Sequence, residues 1–519
     1  MALFKAIATV GGYTMISRVL GFLRDILIAA LMGAGPVADA FFVAFKLPNF
    51  FRRLFAEGAF NAAFVPLFAG RLAADGQASA RDFAAAVLSV MAVFLFCFVT
   101  LLQIAMPLLM YGFAPGFAGD PVRFDLAVEL TRITFPYLLF ISLVSLLGGV
   151  LNSLDRFAAA AATPIILNIC LIGGLVVAAP HLPTPGHGLA WGVAAAGIAQ
   201  FLWLIHACRR AGMVFRLPKP RLTPGVKRLL TLMVPGAIGA GVVQLNLLID
   251  IVIASTLPAG AVSFLYYADR LNQLPLGVIG VAIGTALLPL LSRQLRQGED
   301  AAARESMNRA IEIALLFTVP AAVALVLIAD PIIKVLFERG AFDPATTRAT
   351  ALALTAYAVG LPAYVLVKVL APGFFAREDT KTPVKIAIVC VAINIALSLT
   401  LIHFLAHAGI ALATAIAAWV NAGLLALILA RRGHHRLDAR LKGRALRICL
   451  AAAGMGAGLW VAHGWLEAAF SASLAERIMA LIPLVLGGMA VYGVLATATG
   501  AASLSEIKGI LRRKPSLDP

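Results

Sequence analysis

Charged residues stand where an apolar chain should have none. The stretch "SRVLGFLRDIL" (17–27) lies in the first long apolar segment and carries Arg18, Arg24 and Asp25. The next segment carries Lys46, Arg52, Arg53 and Glu57, with Asp39 at its start. Farther on, Asp250 and the adjacent Asp269 and Arg270 repeat the pattern. If these segments cross a bilayer, each charge at the centre costs about 2.5–3.5 kcal/mol. The seven in the first two segments would cost on the order of 20 kcal/mol facing lipid, more than the whole stability of most proteins. They must pair with one another or line water. Spacing permits some pairing. Arg53 and Glu57 are one helical turn apart, and Arg18 and Asp25 share a face across two turns. Pairing does not exhaust them, because Arg18, Arg24, Lys46, Arg52, Arg53 and Arg270 outnumber Asp25, Glu57 and Asp269. That surplus predicts a wet cavity with an anionic ligand. The guanidinium fork holds phosphate oxygens through two bonds and keeps its proton, so a diphosphate suits several forks at once. Asp25, Glu57 and Asp269 are then expected to offset part of that charge and tune the site.

The elements that must position these charges are membrane helices. The chain has 519 residues, 61% hydrophobic and only 13% charged, with a mean hydropathy of +0.95. Apolar runs of roughly 20 residues recur from end to end, each long enough to cross as a helix. A β-barrel is excluded because the runs are continuously apolar rather than alternating. The fold class is therefore an all-α polytopic membrane protein. The net charge of +17 would suggest nucleic acid in a soluble chain. Here the basic residues sit mainly in short loops, so they read as topology signals and contacts to anionic membrane lipids, with no nucleic-acid partner. The five cysteines (Cys97, Cys170, Cys208, Cys390 and Cys449) lie in or at the end of apolar segments without paired spacing, which predicts neither disulfides nor a metal site. No phosphate loop of the GxxxxGK[ST] type is present, and the histidines lie mostly in loops and span ends. The first apolar stretch is too long and too charged for a cleavable signal peptide and reads as a retained helix.

About fourteen spans are expected. The ones that matter most are the first at 6–33, the second at 40–69, the third at 83–112, the seventh at 229–256, the eighth at 262–292, the eleventh at 384–405 and the twelfth at 410–430; the last two are at 446–466 and 477–499. Lys and Arg concentrate in the loops after even-numbered spans, which places those loops and both termini in the cytoplasm. The chain also repeats itself at an offset of roughly 219 to 226 residues. "RDILIAALMGAGPVADAFF" (24–42) parallels "IDIVIASTLPAGAVSFLYY" (249–267), "FAGDP" (117–121) parallels "AFDPA" (341–345), and Pro136 matches Pro362. Each half holds an even number of helices, so the two six-helix lobes are related by a pseudo-two-fold along the membrane normal. The divisions are 1–215 for the first lobe, 216–435 for the second, 436–500 for two extra C-terminal helices and 501–519 for a cytoplasmic tail. Pro48, Gly58 and Pro66 weaken the second span so that it can bend around a cavity, and Gly33, Gly35 and Pro36 are candidate hinges. The many Phe residues of that span read mostly as packing, with some free to wall an isoprenoid tail.

The stretch "ISRVLGFLRDILIAALMGAGPVADAFFVAFKLPNFFRRLFAEGAFNAAFVPLF" (16–68) resembles the N-terminal signature of the MurJ (MviN) family of lipid II flippases. The likeness continues through "YYADRLNQLPLGVIGVAIGTALLPLLSR" (266–293), "VLFERGAFDP" (335–344) and "FFAREDTKTPVKI" (374–386). It implies membership of the multidrug/oligosaccharidyl-lipid/polysaccharide exporter superfamily, alternating access, and residence in the bacterial cytoplasmic membrane. The implied substrate is lipid II, an undecaprenyl diphosphate bearing the peptidoglycan disaccharide-pentapeptide, with cell-wall synthesis proteins as further partners. The family's functional positions fall on Arg18, Arg24, Asp39, Arg52 and Arg270; by the same resemblance the arginines would bind the diphosphate and head group, and Asp39 would act near the outer gate. Its last two helices would form a groove for the lipid tail. A sodium site, by the same resemblance, would draw on Asp250, Asn394 and Thr414, although Ser398 stands where a further carboxylate would help. No cofactor is implied; Na+, H+ or the membrane potential would drive the cycle. No bond is broken, so the activity is transport rather than catalysis. Rival readings are a cation-coupled exporter of drugs or of another polyprenyl-linked glycan, and a scaffold or receptor that transports nothing. A drug exporter would favour acidic and aromatic cavity residues, and a scaffold has no use for charge at membrane depth.

Overall fold

The computed structural model describes residues 2–55 and 59–503; Glu57, Gly58 and most of the C-terminal tail lie outside the described residues. Every regular element among the described residues is helical. The chain divides into two compact units, Met1–Ser263 with Arg339–Phe342, and Phe264–Glu338 with Asp343–Pro519.

Unit 1 contains α1 (Ala2–Met32), α2 (Pro36–Phe55), α3 (Ala59–Ile104), α4 (Met106–Phe113), α5 (Pro121–Thr134), α6 (Tyr137–Ser153), α7 (Phe157–Ala161), α8 (Thr163–Gly173), α9 (Pro185–Arg210) and α10 (Pro224–Ser255). In it α2 packs on α5 and α9, α3 on α6 and α10, and α1 on α8. Phe60, Phe64 and Phe68 recur every fourth residue on α3, so they form one ridge. Their rings stack at 5.3 and 5.7 Å, Phe83 adds a further ring 5.8 Å from Phe64, and all four are buried. The aromatic residues of the second span are thus largely core. Gly33 (φ +60°) ends α1, and a Cβ there would lie 2.3 Å from the Ala341 carbonyl oxygen. Ala341 in turn donates its backbone N–H to Ala30 at 2.8 Å, so the turn at 339–342 sits backbone-to-backbone on the end of α1, which only glycine permits.

The next helix, α11 (Ala261–Pro275), begins in unit 1 and continues into unit 2. Unit 2 then contains α12 (Val281–Arg296), α13 (Asp300–Leu327), α14 (Ala329–Phe337), α15 (Pro344–Phe375), α16 (Lys381–Arg431), α17 (Ala439–Phe470) and α18 (Leu474–Ala498). Leu291, Met307, Val369, Phe374, Leu425 and Leu429 fill its main core. The two C-terminal helices pack on each other and on α13 and α14, through Ile328, Val335, Met455, Leu459, Phe470 and Leu484. A buried charge group fastens α17 to α13: Glu312, 5% exposed, receives Arg309 and Arg444, and Arg309 also reaches Asp438.

The internal repeat has a structural meaning. Asp120–Pro121 opens α5 and Asp343–Pro344 opens α15. Each Asp caps its helix, accepting from Arg123 N at 3.2 Å and from Thr346 N at 2.7 Å, while each Pro takes the first helical position, where no N–H is needed. Likewise Ser473 caps the start of α18, its hydroxyl accepting from Glu476 N at 3.4 Å and donating to Glu476 Oε1 at 2.9 Å.

Ten helical runs among the described residues are long and apolar enough to cross a membrane. Two of them exceed one crossing by far: Phe60–Ile104, with 45 residues, and Lys381–Arg431, with 51. Each is broken by one residue of positive φ, Gly76 (φ +80°) in α3 and Ala406 (φ +45°) in α16. These breaks fall between the second and third expected spans and between the eleventh and twelfth.

Candidate functional site

Arg24 and Asp25 lie on the inner face of α1, 7% and 4% exposed. The guanidinium folds back on its own neighbour: Nη2 and Nε donate to Asp25 Oδ1 at 2.7 and 3.1 Å. Its Nη1 donates to Asn168 Oδ1 on α8 at 2.9 Å, and Asn168 returns to the Ser17 carbonyl at 2.9 Å. Asp25 was expected to offset Arg18 across two turns. Instead it holds Arg24, because adjacent side chains on a helix can meet when the long one curls back. Arg18 is exposed and makes no ion pair or hydrogen bond among the described residues.

Asp39, in the first turn of α2, has no exposed surface. Both its oxygens are satisfied. Gly260 N donates to Oδ2 at 2.7 Å; Ser263 donates to Oδ1 through its backbone N–H at 2.9 Å and its hydroxyl at 2.6 Å. Arg123, 4% exposed, donates to Oδ2 at 3.2 Å and lies 3.9 Å over the Phe117 ring. Asp39 therefore ties the start of α2 to the start of α11 and to α5. The sequence reading missed Arg123 and Ser263, although Arg123 follows the repeated Asp-Pro motif by two residues.

Arg52 is half-buried near the end of α2 and donates through Nε to Asn49 Oδ1 at 3.1 Å, one turn earlier. Lys46 is half-buried on the same helix. Arg53 is exposed and reaches Gln244 Oε1 on α10 at 3.4 Å. Its expected pairing with Glu57 lies outside the described residues. In unit 2, Arg270 is half-buried and stacks 4.6 Å over the Tyr266 ring, while Asp269 accepts from Gln273. Unit 1 thus carries Arg18, Arg24, Lys46, Arg52 and Arg53, and unit 2 carries Asp269 and Arg270.

Of the expected cation ligands, Asp250 is half-buried in unit 1. In unit 2, Asn394 is 1% exposed and accepts from the Thr414 hydroxyl at 3.4 Å, and the neighbouring Ser398 is fully buried with an unpartnered hydroxyl. Neutral oxygens of this kind hold a hard cation more weakly than carboxylates do.

The family model described as lipid II flippase MurJ matches residues 28–480. A protein of Rhizobium meliloti (strain 1021) named "Probable lipid II flippase MurJ" is 48% identical over 522 residues, covering 99% of this chain and 97% of its own. A solved structure of the lipid II flippase MurJ in an inward closed conformation superposes with a TM-score of 0.77 at 26% identity, over 97% of this chain and 99% of that one. An inward-facing multidrug resistance MATE transporter of the MOP superfamily shares the fold at a TM-score of 0.65 and 16% identity, over 84% of this chain and 99% of that one.

Proposed function

The chain belongs to the lipid II flippase MurJ family, and we propose from that membership how its membrane charges carry the substrate. The activity is translocation of lipid II across the membrane by alternating access. In the reading offered here, Arg18, Arg24, Arg52 and Arg270 take the diphosphate, with Lys46 and Arg53 adding positive field. The observation that carries it is the surplus of arginine over carboxylate, in a chain whose family handles a lipid diphosphate. Arg18 supports it most directly, because no protein carboxylate occupies its guanidinium among the described residues. Arg24 is already committed to Asp25 and Asn168, so it would meet the ligand only through its remaining surface or after those bonds rearrange. The Asp39 group acts as a latch that must release when the start of α2 moves.

The remaining assignments follow the same reading. The chain makes fourteen crossings with both termini in the cytoplasm. The halves 1–215 and 216–435 serve as the two lobes, and the helices of 436–500 guide the isoprenoid tail. The membrane potential, or a Na+ or H+ gradient, drives the cycle. An inside-negative potential favours outward movement of an anionic head group by about 2.3 kcal/mol per charge per 100 mV.

The test is to deplete the protein in cells lacking any other flippase and follow lipid II at the outer leaflet with an impermeant probe. Outer-leaflet lipid II is expected to fall while the inner-leaflet pool accumulates. Undiminished appearance at the outer leaflet would defeat the assignment.

A further inference from the structure

Beside Arg52 the interior of unit 1 opens into a cavity of about 380 Å³, between α2, α3, α6, α8 and α9. That is the size of a small-molecule site. Its polar wall includes Asn49, Arg52, Asn61, Ser145, Asn152 and Gln200, with the hydroxyl-bearing Tyr137 and Thr163 also lining it. Arg52 is the one charged residue among the described residues that line it, and no carboxylate does. A cation therefore has nothing to balance it there.

The hydrogen-bond accounting narrows the occupant further. Gln200, 1% exposed, spends its amide N–H on the Thr163 carbonyl at 2.7 Å, and its own carbonyl oxygen has no partner. Asn61 spends its N–H on the Ser145 hydroxyl at 3.2 Å, and its carbonyl oxygen is likewise unpartnered. A buried acceptor without a donor costs about 1–3 kcal/mol, so a group that enters with O–H or N–H donors is favoured. A diphosphate offers only acceptors and would leave both carbonyls unsatisfied. The wall of α6 is flat here, because Gly148 and Gly149 carry no side chain; a Cβ on Gly149 would come within 3.3 Å of Phe64 and 3.5 Å of the Asn61 carbonyl oxygen.

We propose that this cavity is a glycan subsite, binding the uncharged, hydroxyl- and amide-bearing sugar that is bonded to the diphosphate of the transported lipid. The inference rests on the flippase reading, in which Arg52 takes the diphosphate. A sugar attached to that diphosphate is then the group that reaches the amide-lined wall next to it.

The full-length protein in lipid nanodiscs is titrated with three lipids: undecaprenyl diphosphate, the same lipid carrying an uncharged disaccharide of N-acetylglucosamine, and lipid II. Two variants are compared with wild type. Gln200→Leu removes the buried acceptor. Asn152→Trp narrows the cavity at an exposed lining position and leaves the packed core alone, so it decides the question if Gln200→Leu does not fold. Both variants should weaken the two glycan-bearing lipids by about tenfold, while undecaprenyl diphosphate binds as to wild type. An equal loss for all three lipids, no loss for any, or a loss confined to lipid II would overturn the proposal; the first assigns the cavity to the diphosphate lipid that all three share, the second leaves a cavity that holds water only, and the third assigns it to the peptide. Wild type that binds none of the three lipids would defeat the flippase reading instead.

Discussion

A carboxylate with no exposed surface is tolerable only if both oxygens are occupied, and Asp39 meets that condition with four donors, one of them a buried guanidinium. The arrangement is asymmetric under mutation. Removing Asp39 strands Arg123 in the interior, and removing Arg123 strands a carboxylate that still has three neutral donors. Truncating one partner of a buried pair costs about 3–5 kcal/mol, whereas replacing both is far milder. Asp39→Ala is therefore expected to lower the unfolding temperature of the purified protein more than Arg123→Ala does. The double variant should be less destabilised than the sum of the singles. A thermal double-mutant cycle measures this, and simple additivity would show that the two residues do not act as a pair. The same residue shows where sequence reasoning stops. Asp39 was legible as a charge at a helix start. Its partners stand 84, 221 and 224 residues away, and nothing local announces them. Asn168, 144 residues from Arg24, was invisible for the same reason, as were Asn61, Asn152 and Gln200, since an uncharged amide in an apolar run carries little signal.

At the scale of elements, local rules carried further. The two Asp-Pro starts, the glycines at 33 and 76 and the spacing of Phe60, Phe64 and Phe68 all act within one or two turns, although the Asp-Pro segments read in the sequence only as a repeat and Gly76 was not singled out. The bend at Ala406 has no such local warrant, because alanine disfavours positive φ; beside it Gly409 lies so close to the Leu401 carbonyl that a Cβ there would come within 2.6 Å of the oxygen. Between α15 and α16, Asp379 caps the turn. Its carboxylate accepts from the Thr382 hydroxyl at 2.6 Å, from Arg432 at 2.6 Å and from Thr382 N at 3.0 Å, and these bonds hold it well below the usual carboxylate range. A folded-state value below the unfolded one means that the stabilisation is complete above about pH 4 and is lost as pH falls through the folded value. Arg432 is 43% exposed, so solvent screening keeps the effect of that ion pair to about 1 kcal/mol or less. Asp379→Asn should accordingly be less stable than wild type at pH 6, and the gap should close as the pH is lowered below 3. Thermal melts across that range test it; a gap that widens on acidification would reverse the sign of the argument.

For the whole molecule the governing quantity is charge. A chain with 42 Lys and Arg against 25 Asp and Glu places most of the excess in loops, where it sets topology, but several cations remain within the apolar segments. The structure separates two of these that composition alone makes equivalent. Arg24 is buried in a pair with Asp25 and bonded to Asn168, so it supports the fold as well as any ligand. Arg18, six residues earlier, is exposed and unpaired among the described residues, so its guanidinium is open to a ligand. Their alanine variants should therefore fail differently. Arg18→Ala should keep the wild-type unfolding temperature, as surface changes usually stay within about 0.5 kcal/mol, yet lose transport. Arg24→Ala should lose transport and also melt earlier, because Asp25 is left buried beside Asn168 with its counter-ion gone. Arg18→Lys keeps the charge without the two-pronged fork and should fall between wild type and Arg18→Ala. Arg216→Ala, in the exposed segment between α9 and α10, serves as the control and should change neither property. Transport measured by outer-leaflet lipid II, alongside melting of the purified variants, resolves the four. If Arg18→Ala transports normally, the arginine surplus serves membrane placement rather than the diphosphate, and the anion-binding role passes to Arg52 and Arg270.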